Sequence, residues 1–298
     1  MRIAVTGREG QVVQALIERG AAAGHEVIPL GRPALDLTAR AMSIQDALAA
    51  AVPDMIVSAA AYTAVDCAES ERDLAFAINA TGAESVAAAA CAIGVPLVHL
   101  STDYVFDGAK PTPYVEGDAT GPTGVYGASK LAGEELVLAA QPNSAVLRTA
   151  WVYSPFGANF VRTMLRLAET RDEVSVVADQ RGNPTSALDI ADGIIAVATN
   201  LAADRAPARR GIFHMTGSGE ASWAEFAEAI FAASAASGGP SAMVRAIATA
   251  DYPTAAARPA NSRLDCTLLD DRHGVRLPDW QGAVRAVVAR LTDYQMER

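Results

Sequence analysis

Lysine is nearly missing from this chain: of 24 basic residues only Lys110 and Lys130 are lysines, and the other 22 are arginines. Cysteine is almost as scarce. Cys67, Cys91 and Cys266 are odd in number, widely spaced and form no C-x-x-C pair. That excludes a disulfide framework and a zinc-site spacing, and fits a reducing cytosol. Bases are outnumbered by 34 acids, for a formal net charge of −10. Such a balance argues against nucleic acid or an anionic membrane surface as partner, although a local basic patch could still hold a small anion. No apolar run reaches the roughly 18–20 residues of a membrane helix; the longest, around Val86–Ile93, is mostly alanine and ends at Gly94. The opening stretch Ile3–Val5 runs straight into Gly7 and is too short for the core of a secretion signal. A cytoplasmic protein is expected.

What is present is a hydrophobic chain of 298 residues, 51% AVILMFWYC, 19% charged, with alanine at 64 positions. This excludes disorder, and the length suits one or two closely packed domains. Strand-like runs at Arg2–Val5, Val27–Leu30, Met55–Ser58, Leu97–Leu100 and Ala145–Arg148 alternate with helix-length segments. The alternation predicts an α/β fold: a Rossmann-type, doubly wound parallel sheet with right-handed crossovers. After Trp151 it blurs. Asn159–Glu169 and Ser222–Ser234 read as helices, the second opened by a Ser222/Glu225 capping box, and Val174–Val177 and Ile212–Met215 as strands. The expected organisation is a dinucleotide-binding domain over 1–150, to which segments near 174–205 return. A smaller α/β substrate-binding domain takes up most of 151–298.

Directly after the first strand come Gly7, Arg8, Gly10, Gln11 and Val12. Glycines at this strand-to-helix turn permit close approach to a pyrophosphate seated on a helix N-terminus. Val13 occupies the usual third-glycine position and predicts a helix held slightly off the strand. The second strand ends in Gly31-Arg32 with no acid before Asp36. Where an NAD enzyme carries a ribose-binding acid, Arg32 and Arg8 instead suit a 2′-phosphate, so NADPH is the expected cofactor, with NADH also accepted.

Tyr126-Gly127-Ala128-Ser129-Lys130 is a Y-x-x-x-K at the start of an apolar-periodic segment. On a helix, positions i and i+4 share a face, so an ammonium would sit beside a phenol and lower its pKa from about 10. A tyrosine so tuned can exchange a proton with a carbonyl oxygen. Thr102, at the carboxyl end of the strand starting at Leu97, lies where such sheets bind ligands. His25, His99, His214 and His273 have no metal-ligand spacing and read as structural or exposed, and Asp189 and Asp192 as a solvated face. Lys110 reads as a surface residue.

These runs, with Ser58–Asp66 and Glu69, Ser101–Gly108, Arg148–Tyr153, Asp179–Thr185 and Arg258–Asp265, resemble the extended short-chain dehydrogenase/reductases. Within them the chain is similar to the dTDP-4-dehydrorhamnose reductase family, over nearly its whole length. The resemblance implies NADPH-dependent reduction of a dTDP-4-keto sugar, with Thr102, Tyr126 and Lys130 as the catalytic triad. It implies that Asp36 and Leu37 contact the adenine side, and that Ala60, Ala61 and Tyr62 pass near the cofactor. Thr63, Val65, Tyr104, Trp151 and Asn159 would line the sugar and nucleotide pocket, and Arg258 would meet the diphosphate. Some members dimerise through a metal held by a glutamate early in the first helix. Here no carboxylate precedes Glu18 in that helix, so no metal is expected, and a monomer, or a dimer without a metal bridge, follows. Other nucleotide-sugar enzymes are alternatives. In 4,6-dehydratases the pattern after the threonine is Asp-Glu, whereas this chain has Asp103-Tyr104, which favours simple reduction; an epimerase or a non-catalytic subunit like that of methionine adenosyltransferase remains open.

Overall fold

The computed structural model describes residues 1–296. Its first half winds β1 (Arg2–Thr6), α1 (Gln11–Ala22), β2 (Glu26–Leu30), α2 (Ala41–Ala50) and β3 (Met55–Ser58). The short α3 (Val65–Ala68) and α4 (Arg72–Phe76) follow, then a π-helical turn (Ala77–Gly82) that runs into α5 (Ala83–Ile93). Next come β4 (Leu97–Thr102), α6 (Val125–Ala140) and β5 (Ser144–Thr149). Strands β1–β5 pair in parallel in the order β5-β4-β3-β1-β2. The strand order reverses at β1, which places a crevice at the carboxyl ends of β1 and β3.

Period-two alternation gives the sheet two apolar faces. Ile3, Val5, Met55, Val57, Val98 and Leu147 form one core with residues of α1, while Ala4, Ile56, Leu97 and Val146 form another with residues of α2 and α5. The second face turns polar at its carboxyl end. In register across neighbouring strands lie Ser58 beside His99, then Ser101 beside Arg148. Helix α6 covers this row, burying Ser129, Lys130 and Glu134. The run Arg72–Ile93 is, by length and composition, apolar enough to cross a membrane. Its small side chains Ala75, Ala80, Ala83, Ala87 and Ala90 are instead buried within the fold, as in a core helix.

The second half contains β6 (Val152–Tyr153), α7 (Phe160–Ala168), β7 (Glu173–Val177), β8 (Arg181–Gly182), β9 (Thr185–Ser186) and α8 (Ala187–Ala203). Then follow β10 (Gly211–His214), β11 (Ala221–Ser222), α9 (Trp223–Ala236), β12 (Met243–Ile247), α10 (Thr267–His273) and α11 (Trp280–Met296). The 174–205 stretch divides, contrary to expectation. Its helix α8 joins the α1 side of the main sheet through Ile190, Ile194 and Val197, but β7 pairs in parallel with β12 in a sheet of its own. The strand that does return is β10, expected in the smaller portion: it adds to β5 as the sixth strand. Its alternation explains this, because Phe213 enters one core while Ile212 packs against the other. A separate core of Tyr153, Val161, Phe226, Trp280 and Val284 holds α7, α9 and α11 together. The Ser222/Glu225 capping box that opens α9 is formed from both sides.

Candidate active site

Between the main sheet and the separate core of the second half, over the carboxyl ends of the strands, lies a cleft of about 740 Å³. Gly7, Gly10, Gln11 and Val12 form one wall, and Ala60, Ala61, Thr63 and Val65 continue it from the end of β3. Thr102, Tyr104, Tyr126 and Lys130 lie together on the same cleft, and Trp151, Asn159, Phe160 and Trp223 close its far side.

The glycine loop is shaped by its backbone. Gly7 has φ +102°, a left-handed region in which a side chain is strained. A Cβ there would also stand 3.3 Å from Val13 Cγ2 and 3.6 Å from Ala60 Cβ. Val13 is 2% exposed, and its Cγ2 lies against the side of Gly7 that carries no Cβ. Thr6 Oγ1 accepts from the N–H groups of Ala59 and Ala60, at 3.0 Å each, and so ties the β1 and β3 ends together. Helix α1 starts with no acidic residue in its first turn and no side-chain cap, which leaves its first N–H groups available to an anion.

Tyr126 sits at the start of α6, and its ring packs edge-on against Tyr104 with centroids 5.6 Å apart. The start of α6 is held by Glu69, which accepts from Val125 N at 2.8 Å. Lys130, one turn further on, is 3% exposed and donates to Leu100 O at 2.7 Å, with His99 Nε2 at 3.4 Å. The ammonium is therefore turned toward the sheet, and the expected lowering of the tyrosine pKa does not occur. Burial pushes the Tyr126 phenol up to about 12, the Asp103 charge adding to the rise and a hydrogen bond with Thr102 opposing it. Burial also draws Lys130 down to about 8, against the pull of Glu134. Thr102 Oγ1 donates to Asp103 at 2.9 Å and accepts from Tyr104 N at 3.2 Å.

Several supporting residues lie beyond any contiguous motif. Glu134 is 1% exposed, accepts from Arg148 Nη2 at 2.6 Å and from Ser101, and so locks α6 to β4 and β5. Asn79 holds the backbone of Tyr62 from both sides and donates to Ser129 at 3.0 Å. Its signal in the sequence was only a polar residue in an alanine-rich helix. His99 is buried, as a structural histidine would be, and lies beside Lys130. Trp151 adopts φ +46° and stacks on Trp223 with centroids 3.6 Å apart and planes 9° apart. One face of Trp151 is thus already covered, and Gly182 lies close against Nε1 and Cε2 of the same indole.

Six of the sequence candidates are absent from the lining of this cleft. Arg8 and Arg32 are exposed near the end of β2, where a Cβ on Gly31 would meet Arg8 Cγ at 2.8 Å. Asp36 accepts from the N–H and hydroxyl of Thr38, at 2.8 Å each, which holds its carboxyl below the usual range. Leu37 is 9% exposed and packs against Gly82. The Tyr62 phenol donates to Glu71 at 2.8 Å, and that bond pushes it up to about 12. Arg258 pairs with Asp66 at 2.7 Å.

Two other sequence readings are revised. Of the pair read as a solvated face, Asp192 is exposed and pairs with Arg19 at 3.5 Å, whereas Asp189 is half-buried, and burial with the neighbouring Asp192 charge pushes its carboxyl up to about 6. Lys110 is half-buried in an ion pair with Asp118. Among the described residues no three metal-capable side chains converge.

Residues 1–293 match the family model described as the RmlD substrate binding domain. A dTDP-4-dehydrorhamnose reductase of Sinorhizobium fredii is 53% identical over 294 residues, 98% of each chain. Among solved structures, a dTDP-4-dehydrorhamnose reductase from Clostridium acetobutylicum superposes with a TM-score of 0.90 at 36% identity, covering 98% of this chain and 99% of that one. The Bacillus anthracis enzyme of the same name, in complex with NADP, gives 0.89 at 36% identity, covering 97% and 99%.

Proposed function

The chain belongs to the RmlD family of dTDP-4-dehydrorhamnose reductases, and from that premise we propose that it reduces the C4 ketone of dTDP-4-dehydro-L-rhamnose to dTDP-L-rhamnose, with NADPH as the hydride donor and NADH as a weaker substitute. The observation that carries the reading is one cleft bearing Thr102, Tyr126 and Lys130 opposite a bare glycine loop and helix N-terminus. The positive-φ Gly7, free of a side chain, and the uncapped first turn of α1 fit a pyrophosphate. Gly7, Gly10, Gln11, Val12, Ala60 and Ala61 would hold the dinucleotide, with Tyr62, Asp36 and Leu37 outside them and Arg8 and Arg32 at a 2′-phosphate. When bound, NADPH supplies the hydride.

In this reading the Tyr126 phenol donates its proton to the oxygen that becomes the C4 hydroxyl. A phenol kept protonated by burial suits an acid in the reductive direction. Thr102 positions that oxygen, and the Lys130 N–H not taken up by Leu100 O or His99 would face the ribose. Tyr104, Thr63, Val65, Asn159 and the Trp151 edge hold the sugar and nucleotide. Arg258 would leave Asp66 for the diphosphate, a charge-assisted donor that reconciles an acidic protein with an anionic substrate. The protein would act in the cytoplasm as a monomer, or as a dimer without a metal bridge.

The test is NADPH oxidation on addition of dTDP-4-dehydro-L-rhamnose, with the product identified by mass and chromatography. Formation of dTDP-L-rhamnose with one NADPH consumed per sugar supports the reading. Cofactor binding without turnover of this sugar would overturn it.

A further inference from the structure

An ammonium group carries three protons and no lone pair. Lys130 donates one to Leu100 O at 2.7 Å and faces His99 Nε2 at 3.4 Å. Both side chains are buried, at 3% and 1% exposure, so bulk water does not replace either partner. The remaining N–H is left for the cleft, which Lys130 helps to line. His99 is placed by the strand itself. It lies on β4 in register with Ser58, on the sheet face that α6 covers, three residues before Thr102.

We propose that His99 is a positioning residue for the reaction: as the neutral Nδ1–H tautomer it accepts from Lys130 through Nε2 and, with the Leu100 carbonyl, aims the last ammonium proton at the ribose of the nicotinamide nucleotide. The aim toward a ribose rests on the reductase reading. The His99–Lys130 bond does not.

The donor count at Nε2 sets the tautomer, and its Nδ1–H is then buried with no partner. A nitrogen that faces an ammonium must offer a lone pair. A charged ring would put two cations together in a buried site, and burial and the Lys130 charge both hold the His99 pKa well below its ordinary value. The other charged and titratable groups around Lys130 have partners of their own. Glu134 on α6 is bound by Arg148 of β5 and Ser101 of β4. Asp103, after β4, accepts from Thr102, and Tyr126, one turn back on α6, packs edge-on against Tyr104. His99 Nε2 is the side-chain atom within hydrogen-bond distance of the ammonium among the described residues.

Long-range ¹⁵N spectra of the histidine rings at pH 7, with His99→Gln identifying the signal, read the tautomer directly. A neutral ring protonated at Nδ1 supports the proposal, and an Nε2–H tautomer or an imidazolium overturns it. In parallel, His99→Leu should lower kcat about tenfold or more and raise the KM for NADPH. It should also move the alkaline limb of the kcat/KM profile to lower pH, because the ammonium loses an acceptor. His99→Gln, whose amide oxygen can accept, should bring the limb and the KM back toward the native values. A limb and KM unchanged in both variants would overturn the proposal. If the native protein reduced no keto sugar, that failure would fall on the reductase reading, while the tautomer would still decide the role of His99 toward Lys130.

Discussion

The Thr102 hydroxyl donates to the Asp103 carboxylate across 2.9 Å, with both side chains buried at 5% and 2% exposure. An ionised Asp103 therefore holds the proton that Thr102 would otherwise offer to a substrate oxygen. One carboxylate oxygen, Oδ2, has no hydrogen-bond partner by geometry. Burial pushes this carboxyl up to about 6.

That shift has a consequence for stability. A carboxyl whose pKa is higher in the folded chain than the unfolded value of about 3.9 favours folding in its neutral form. Its contribution is complete below about pH 4 and is lost as pH rises through about 6. Asp103→Asn cannot ionise, so its Tm relative to the native protein should climb between pH 4 and pH 7, by the equivalent of roughly 2 kcal/mol. A constant difference across that range would contradict the buried, ionising carboxyl.

Tyr126→Phe should fold normally and lose turnover by about 10²- to 10⁴-fold, the usual size of a general-acid contribution. Circular dichroism checks the fold, and steady-state NADPH oxidation checks the rate. Retention of more than about a tenth of native kcat would place the proton donor elsewhere.

Lys130→Met should separate activity from stability. Turnover should collapse, yet the variant should melt above the native protein near pH 7, because a buried ammonium costs folding energy. The sign follows from a folded pKa drawn down to about 8. For the native chain, stability is lost as pH falls from the unfolded value of about 10.4 through 8, so the advantage of methionine should be largest below pH 8 and fade above pH 10. Tm profiles of both proteins from pH 6 to pH 10.5 provide the check.

Gly127→Ala tests how tightly the start of α6 is seated. A Cβ at Gly127 would stand 2.1 Å from Tyr104 O and 3.0 Å from Pro122 Cβ. The carbonyl cannot yield without shifting the turn that carries Thr102 and Tyr104, so a single methyl should cost about 1–3 kcal/mol and reduce kcat as well. A native Tm with native kcat would show that the helix has room to move.

Arg8→Ala combined with Arg32→Ala should lower kcat/KM for NADPH far more than for NADH, since only the former carries the 2′-phosphate. Both side chains are exposed, so stability should hardly change. Equal losses with the two cofactors would remove these arginines from the phosphate site.

How far the chain could be read depends on the range of each signal. The first five strands, the glycine turn and the Tyr126/Lys130 pair follow from patterns a few residues long, because strand alternation and helical i,i+4 spacing are properties of contiguous chain. Val13 marks the limit of that window: its packing beside the bare Gly7 depends on how α1 sits over the strand ends. Strand β10 was recognisable as a strand, but its place beside β5 depends on which sheet edge it reaches across a long connection.

Sequence alone was therefore enough for the α/β class, and it named the candidates for the dinucleotide end and the reacting side chains. Tertiary structure decided where those side chains' protons and charges are directed. Lys130 meets His99 from 31 residues away, and Arg258 meets Asp66 from 192. Trp151 turns one face to Trp223 instead of leaving it to a ligand. Hydrogen-bond direction and desolvation arise only when distant elements pack. The same packing holds Tyr126 as a protonated phenol, where four-residue spacing alone had suggested a lowered pKa.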